Sequence, residues 1–317
     1  MNTTDIHDLP IPGPARSGWP WTEQSEALPA TLPGKREWPR ISIVTPSFNQ
    51  AEFLEQTIRS VLLQRYPNLE YMIIDGGSND GSAEIISRYS KHLAYHVSES
   101  DRSYIHAINK GFERATGDII CWLNSDDYYL PGTLRTVAET FSAEKTHTAL
   151  VGHVLVTYSD GSPAKKVIGN YSGIERLFKF WKGYQMHQPS IFWRREVFES
   201  VGYLNEDRDL IADFDYWVRI GKHYQFTNVD QILSCATHHP RAKTADGFRG
   251  YHEALKKQAT SYWGSRWSPR YWRLAISMFG CYRLRPLIEP VLNLARPYYR
   301  AFQSQQGVWH TRKRNNA

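Results

Sequence analysis

Carboxylates recur in this 317-residue chain at the ends of short apolar runs. Asp75 closes the run from Leu69, Glu99 and Asp101 follow the run ending at Val97, and Asp126 and Asp127 follow Leu123. Like charges gathered at one rim repel and raise one another's pKa unless a cation lies among them. With oxygen donors and no cysteine cluster, that cation would be Mg²⁺ or Mn²⁺. Such an ion takes few protein oxygens and completes its shell with water and phosphate, so the pattern points to a site that handles a diphosphate. Asp80 and Ser82, by contrast, suit a turn and a helix cap.

The gathering of these residues depends on the elements that carry them. The segment Ile41 to Pro46 reads as a strand, and Leu54, Ile58, Val61 and Leu62 then fall at helical spacing. The alternation repeats with strands at 69–75, 93–97 and 118–123 and helices near 82–90, 103–115 and from 131. Strands separated by helices require crossover connections, which predicts an α/β fold with a mostly parallel, doubly wound sheet. Ligands of such sheets bind beyond the carboxyl ends of the strands, where the carboxylates lie. Beyond 150 the pattern loosens, with strands expected at 149–157, 190–193 and 231–237 and a helix over 213–223. No GxxxxGK[ST] or GxGxxG occurs, which argues against a P-loop enzyme or a Rossmann dehydrogenase.

Taken in order, the motifs Thr45-Pro-Ser-Phe-Asn-Gln50, Thr57-Ile-Arg-Ser-Val61, Ile74-Asp-Gly-Gly-Ser-Asn-Asp-Gly-Ser82, Ala107-Ile-Asn-Lys-Gly111, Ala115-Thr-Gly-Asp118 and Leu123-Asn-Ser-Asp-Asp127 resemble family 2 glycosyltransferases of the GT-A fold. The resemblance covers about residues 41–245. It implies a nucleotide-diphosphate sugar donor (UDP-, GDP- or dTDP-linked), a bound Mn²⁺ or Mg²⁺, and a glycan or lipid-linked hydroxyl acceptor, in polysaccharide or glycoconjugate assembly. By the same resemblance Asp75 would meet the nucleobase edge beside Pro46, Ser47, Phe48 and Asn49. Glu99 and Asp101 would lie near the ribose and sugar, with Asn109 and Lys110 also in the donor site. Asp127 would be the metal ligand and Asp126 the ribose or metal contact. Asn124 stands where many relatives carry another aspartate.

The segment Ala212-Asp213-Phe214-Asp215-Tyr216-Trp217 resembles the family's helix start that bears the general base, with Ala212 in place of a glutamate. This assigns the base to Asp213 and puts Asp215 and Trp217 on the acceptor side. Residues i and i+2 of a helix do not share a face, so Asp215 would secure the helix instead of sharing the base's task. Inverting transfer needs such a base to take the acceptor proton, while a cation offsets charge on the departing diphosphate. His239 resembles a histidine facing the diphosphate or metal, though a structural role is also open. Gln188, in His187-Gln-Pro-Ser190, resembles an acceptor-side residue. Two other classes stay in view: a noncatalytic nucleotide-sugar-binding protein, and a related-fold nucleotidyltransferase, which would want a Gly-rich basic loop after the first strand.

Composition sets the frame. Hydrophobic residues at 41% and charged residues at 22% fit a folded protein. Cys121, Cys235 and Cys281 are odd in number and far apart, so no disulfide framework or cysteine zinc site is expected. Residues 1–39 hold seven prolines and read as an extended arm. The glycosyltransferase domain is expected over 40–245, with a nucleotide half over 40–130 and an acceptor half over 131–245. Residues 246–317 form a helical basic extension. From 251 on, 12 Lys and Arg face only Glu253 and Glu289, so the net charge of +6 arises in this tail. Its interleaved Trp, Tyr and Arg over 262–303 suit either an anionic membrane interface or a helical cap on the domain. Nothing there spells a specific nucleic-acid motif. With no signal-like N-terminus and no run near the roughly 20 apolar residues of a bilayer span, a cytoplasmic protein is expected, with the tail reaching the inner membrane face.

Overall fold

The structure, a computed structural model, describes residues 3–159, 164–179, 186–242 and 251–280. It falls into two units, Met1–Phe178 with Tyr184–Leu255, and Lys179–Gly183 with Lys256–Ala317. In the first unit the chain runs β1 (Ile41–Ser47), α1 (Ala51–Leu62), β2 (Leu69–Asp75), α2 (Ser82–Tyr89), β3 (Tyr95–Ser98), α3 (Tyr104–Arg114), β4 (Ile119–Trp122), β5 (Tyr128–Tyr129) and α4 (Thr133–Ala143). It continues through β6 (Ala149–Tyr158), β7 (Lys165–Val167), α5 (Ile174–Leu177), β8 (Ile191–Arg194), α6 (Arg195–Val201), α7 (Ala212–Gly221) and β9 (Phe226–His238).

The strands form one sheet in the order β3-β2-β1-β4-β8-β6-β9-β5, with β7 beside β6. The first four are parallel, as helix crossovers require. Their register sets the site: Ser47 lies opposite Asp75, and Asp75 opposite Ser98, so these strands end level and their outgoing loops share one edge. The second half turns mixed. β8 runs antiparallel to both β4 and β6, and β7 is antiparallel to β6, while β9 is parallel to β6. The strand-helix alternation behind the parallel expectation stops at β6, whose short connection to β7 cannot make a crossover. β5 and β7 are too short to leave a periodic signal in the sequence.

The core beneath the site is aromatic. Trp122 stacks on Trp217 with ring centres 5.4 Å apart, and Trp193, Tyr216 and Phe112 meet them edge to face. Residues 3–39, expected as an extended arm, belong to the first unit and lie along it without a strand. Proline offers carbonyls without its own N–H. The buried Arg59 of α1 collects them, donating to Pro10 O, Pro20 O and Trp21 O at 2.9–3.0 Å.

The second unit contains α8 (Tyr251–Trp263) from Lys256 on, and α9 (Pro269–Phe279). Ser268 caps α9, its hydroxyl accepting Arg270 N, and Pro269 sits at the first turn where a missing N–H costs nothing. Among the described residues no helix is long and apolar enough to cross a membrane.

α3 reaches β1 only because Gly111 has no side chain: a Cβ there would stand 2.3 Å from Val44 Cγ1. Gly111→Ala should therefore destabilise the first unit by about 1–3 kcal/mol through overpacking, and Val44→Ala added to it should restore part of the loss. Thermal unfolding of the wild type and both variants measures this; an unchanged melting temperature for Gly111→Ala would show that the α3 seat yields freely.

Candidate functional site

The loops leaving β1 to β4 enclose a cavity of about 1030 Å³. Pro46, Ser47, Phe48 and Gln50 line one wall with Gly76, and Phe48 stands 61% exposed there. A Cβ on Gly76 would come within 3.3 Å of the Phe48 ring, so this glycine leaves room for the aromatic wall. Trp122, the edge of the aromatic core, also lines the cavity, followed by Asn124, Ser125 and Asp126. Gln188 joins them, its amide donating to Trp122 O at 2.6 Å. Ser100 to Tyr104, Asp209, Leu210 and Asp213 form the facing side, with Arg241 and Ala242 at the rim.

Several polar atoms around this space are buried without a protein hydrogen-bond partner among the described residues: Ser47 Oγ, Gln50 Oε1, Asp101 Oδ2 and Gln188 Oε1. Buried polar groups are nearly always satisfied, so unpartnered atoms on several residues around one cavity single it out. Asp101 shows the arrangement best. Its Oδ1 accepts from Lys110 Nζ at 2.9 Å and lies 2.8 Å from His106 Nδ1, while Oδ2 is buried without a protein partner. Lys110 also donates to Glu99 at 2.5 Å and holds that carboxyl below the usual range. Lys110 and Glu99 thus orient Asp101 without lining the cavity themselves.

At the end of β4, Asp126 and Asp127 diverge. Asp126 lines the cavity, its Oδ2 3.1 Å from Nε2 of the buried His239, whose ring packs on Phe53 at 4.5 Å. Asp127 turns inward, where its Oδ1 accepts Thr237 N at 3.1 Å. Burial, then the neighbouring Asp126 charge, push the Asp127 carboxyl well above the ordinary carboxylate range. Among the described residues no three His, Cys, Asp or Glu side chains form a ready metal cage. The pair still fits a divalent ion that keeps water and phosphate in its shell, since a cation would offset the charge that burial and Asp126 disfavour on Asp127.

Other expected site residues serve elsewhere. Asp75 is fully buried, and its carboxylate accepts Ser78 N, Ser78 Oγ and Ser98 Oγ at 2.6–2.9 Å, tying the loop after β2 to the end of β3. Asn49, with φ at +53°, exchanges hydrogen bonds with Ser78 and Asn79, and Asp80 accepts from Ala51 N and Ser82 as turn chemistry predicts. Asn109 pairs both ways with the Leu204 backbone, because α3 buries that face against the loop after α6. On α7, Asp213 lines the cavity while Asp215 accepts from Arg219 one turn on, and Trp217 is fully buried in the aromatic core. Helix geometry explains the split, since 213 and 217 share a face but the Trp217 ring lies a turn deeper. Arg102, Tyr104 and Asp209 were missed by sequence reasoning; Arg102 lies in a loop, Tyr104 opens α3 and Asp209 lies in a short 3-10 turn, and none belongs to a motif that marks a site. Residues 243–250 and, of the basic tail, 281–317 lie outside the described residues.

Residues 42–202, just over half of the chain, match the family described as Glycosyl transferase family 2. The chain belongs to that family. TuaG of Bacillus subtilis, named for teichuronic acid biosynthesis, is 33% identical over 135 residues, which make up 41% of this chain and 52% of TuaG. The match thus spans about half the length of that relative. The glycosyltransferase AglE of Haloferax volcanii is 27% identical over 229 residues, 69% of this family 2 chain and 71% of AglE. The mannosyltransferase PcManGT of Pyrobaculum calidifontis, solved with GDP-Man and Mn²⁺, matches with a TM-score of 0.56 at 18% identity, covering 90% of this chain and 84% of that one. That likeness shows the fold, which is GT-A as the motifs imply.

The Asp127 carboxyl gives a stability test. Its folded pKa lies above its unfolded value near 4, so the folded form loses stability as pH rises from about 4 through the folded pKa. Asp127→Asn keeps an acceptor for Thr237 N and removes that charge. In EDTA at pH 8 the variant should melt above the wild type, and the difference should vanish toward pH 4. A variant melting lower at pH 8 would contradict the placement of this carboxylate.

Proposed function

We propose that this chain transfers a sugar from a nucleoside diphosphate donor to a hydroxyl acceptor with inversion at the anomeric carbon. The observation that carries the reading is that Asp213 and Asp126 line one cavity whose wall is the exposed Phe48 ring. Phe48 with Pro46 and Gly76 offers a stacking face for a nucleobase or ribose. Asp101 and Gln188, both lining the cavity, would meet ribose or sugar hydroxyls.

Asp126 and Asp127, with His239 beside them, would hold Mn²⁺ or Mg²⁺. Such a cation supplies electrostatic relief for the charge that grows on the leaving diphosphate. Asp213 takes the acceptor proton; its position at the start of α7 fixes the carboxylate at the cavity wall. Trp122 closes the floor against water. The family supports the reaction class, and PcManGT, whose structure holds GDP-Man and Mn²⁺, supports a metal and a nucleotide sugar. TuaG's name supports an acceptor in a cell-surface polysaccharide or related glycoconjugate.

A lipid-linked acceptor would place the enzyme at the inner membrane face. In the second unit, Trp272 and Ile276 lie one turn apart on α9 and are exposed, as is Trp267, among Arg266, Arg270 and Arg273. Rings at headgroup depth with arginines on lipid phosphates would give peripheral binding to an anionic surface.

Two measurements test these readings. Asp213→Asn should lower kcat by about 10²-fold or more while Mn²⁺-dependent nucleoside diphosphate affinity stays within about twofold of the wild type; full transfer by the variant would remove Asp213 as base. Replacing Trp272 and Ile276 by Ser should cut co-sedimentation with vesicles rich in anionic lipid several-fold, and unchanged sedimentation would exclude α9 as the contact.

A further inference from the structure

α1 carries a buried polar seam. Thr57, Ser60 and Gln64 recur at i, i+3 and i+7, one face of a helix and its continuation, and none is more than 2% exposed. Each bonds the backbone of the segment that carries Asp126 and Asp127. Thr57 Oγ1 lies 2.9 Å from Ser125 O and 2.7 Å from Asp127 O, so its one proton is shared by two carbonyls that straddle Asp126. Ser60 Oγ accepts Tyr129 N at 3.1 Å. Gln64 Nε2 donates to Leu130 O at 2.9 Å and its Oε1 accepts Leu134 N. From the other side the arm adds Trp19 Nε1 to Tyr129 O at 2.7 Å.

We propose that Thr57 is a positioning residue for the donor site: its hydroxyl, bonded to the carbonyls of Ser125 and Asp127, sets the direction in which the Asp126 carboxylate between them is presented to a metal-bound nucleoside diphosphate. The inference rests on the donor reading above and names the group that makes that reading work. Two carboxylates that repel each other and differ in burial need a backbone that cannot turn to separate them. A side-chain hydroxyl does this better than packing, because losing it leaves two buried carbonyls without a donor. The sequence of bonds also explains why Thr57 and Ser60 of this helix, and Gln64 just beyond it, are buried polar side chains.

The test uses Thr57→Val, which keeps the shape and removes the hydroxyl, and Thr57→Ser, which keeps the hydroxyl and removes the methyl. Calorimetry would measure binding of UDP and GDP to the full-length chain with Mn²⁺ and with EDTA, well below each variant's melting temperature. Thr57→Val should weaken the Mn²⁺-dependent part of nucleotide binding about tenfold or more and leave the EDTA value unchanged. Thr57→Ser should bind within about threefold of the wild type even if it melts lower. Wild-type affinity in Thr57→Val, or equal loss in both variants, would overturn the proposal while leaving the donor reading intact. A wild-type chain that gains nothing from Mn²⁺ with either nucleotide would instead overturn the metal-nucleotide reading, and this proposal with it.

Discussion

Two adjacent carboxylates at the end of a buried strand are the costly feature around which this site is organised. Asp126 faces the cavity and Asp127 faces inward, and burial together with the neighbouring charge disfavours the ionised form of Asp127. Such a pair persists only if its surroundings hold it, since an unconstrained loop would turn one carboxylate to water. The structure supplies the restraint from three directions. α1 binds the loop carbonyls through Thr57, β9 offers Thr237 N to Asp127, and His239 meets Asp126. What looks from outside like a simple turn after β4 is a segment bonded along its length.

Below this charged edge the cavity changes character. Trp122 lines the cavity and stacks on Trp217, and Trp193 and Tyr216 extend the aromatic cluster into the core. An apolar floor beneath a polar wall strengthens every electrostatic contact made above it, because water cannot screen from below. It also gives α7 a rigid seat. The helix buries Trp217 and Tyr216 and presents Asp213 at the cavity wall, so the position of that carboxylate follows from aromatic packing.

Much of this was legible in the residues. The parallel half followed from strand-helix alternation, and the carboxylates fell at strand ends because the register of β1, β2 and β3 brings those ends level. Asp213, Asp126, Phe48 and Gln188, singled out from the motifs, line one cavity. Less legible were residues whose role depends on which neighbour they find. Asn109 and Lys110 sit in a donor-site motif, yet one pairs with the Leu204 backbone and the other braces Asp101. Thr57, Ser60 and Gln64 have the composition of a solvent-facing stripe, and only the fold reveals that another backbone covers it. The strand expected at 190–193 is β8, but its antiparallel direction left no pattern, because strand direction is a property of connections that the sequence beyond β6 does not punctuate.

The division of labour between the two halves of the sheet has a further consequence. The wall of Pro46, Ser47, Phe48, Gln50 and Gly76 comes from loops of the parallel half, beside which Asp75 ties Ser78 to Ser98. The carboxylate pair belongs to β4, but its partners Thr237 and His239 arrive at the end of β9, more than a hundred residues later. β9 pairs with β6 and β5, and β5 is the two-residue strand that directly follows Asp127. Closing that last pair of strands therefore places the histidine beside Asp126 and the amide beside Asp127 in one step. A chain in which the parallel half has formed but β9 has not docked would carry the Phe48 wall and an unsupported carboxylate pair. The complete site then requires the whole sheet, although half of it is enough to make that wall.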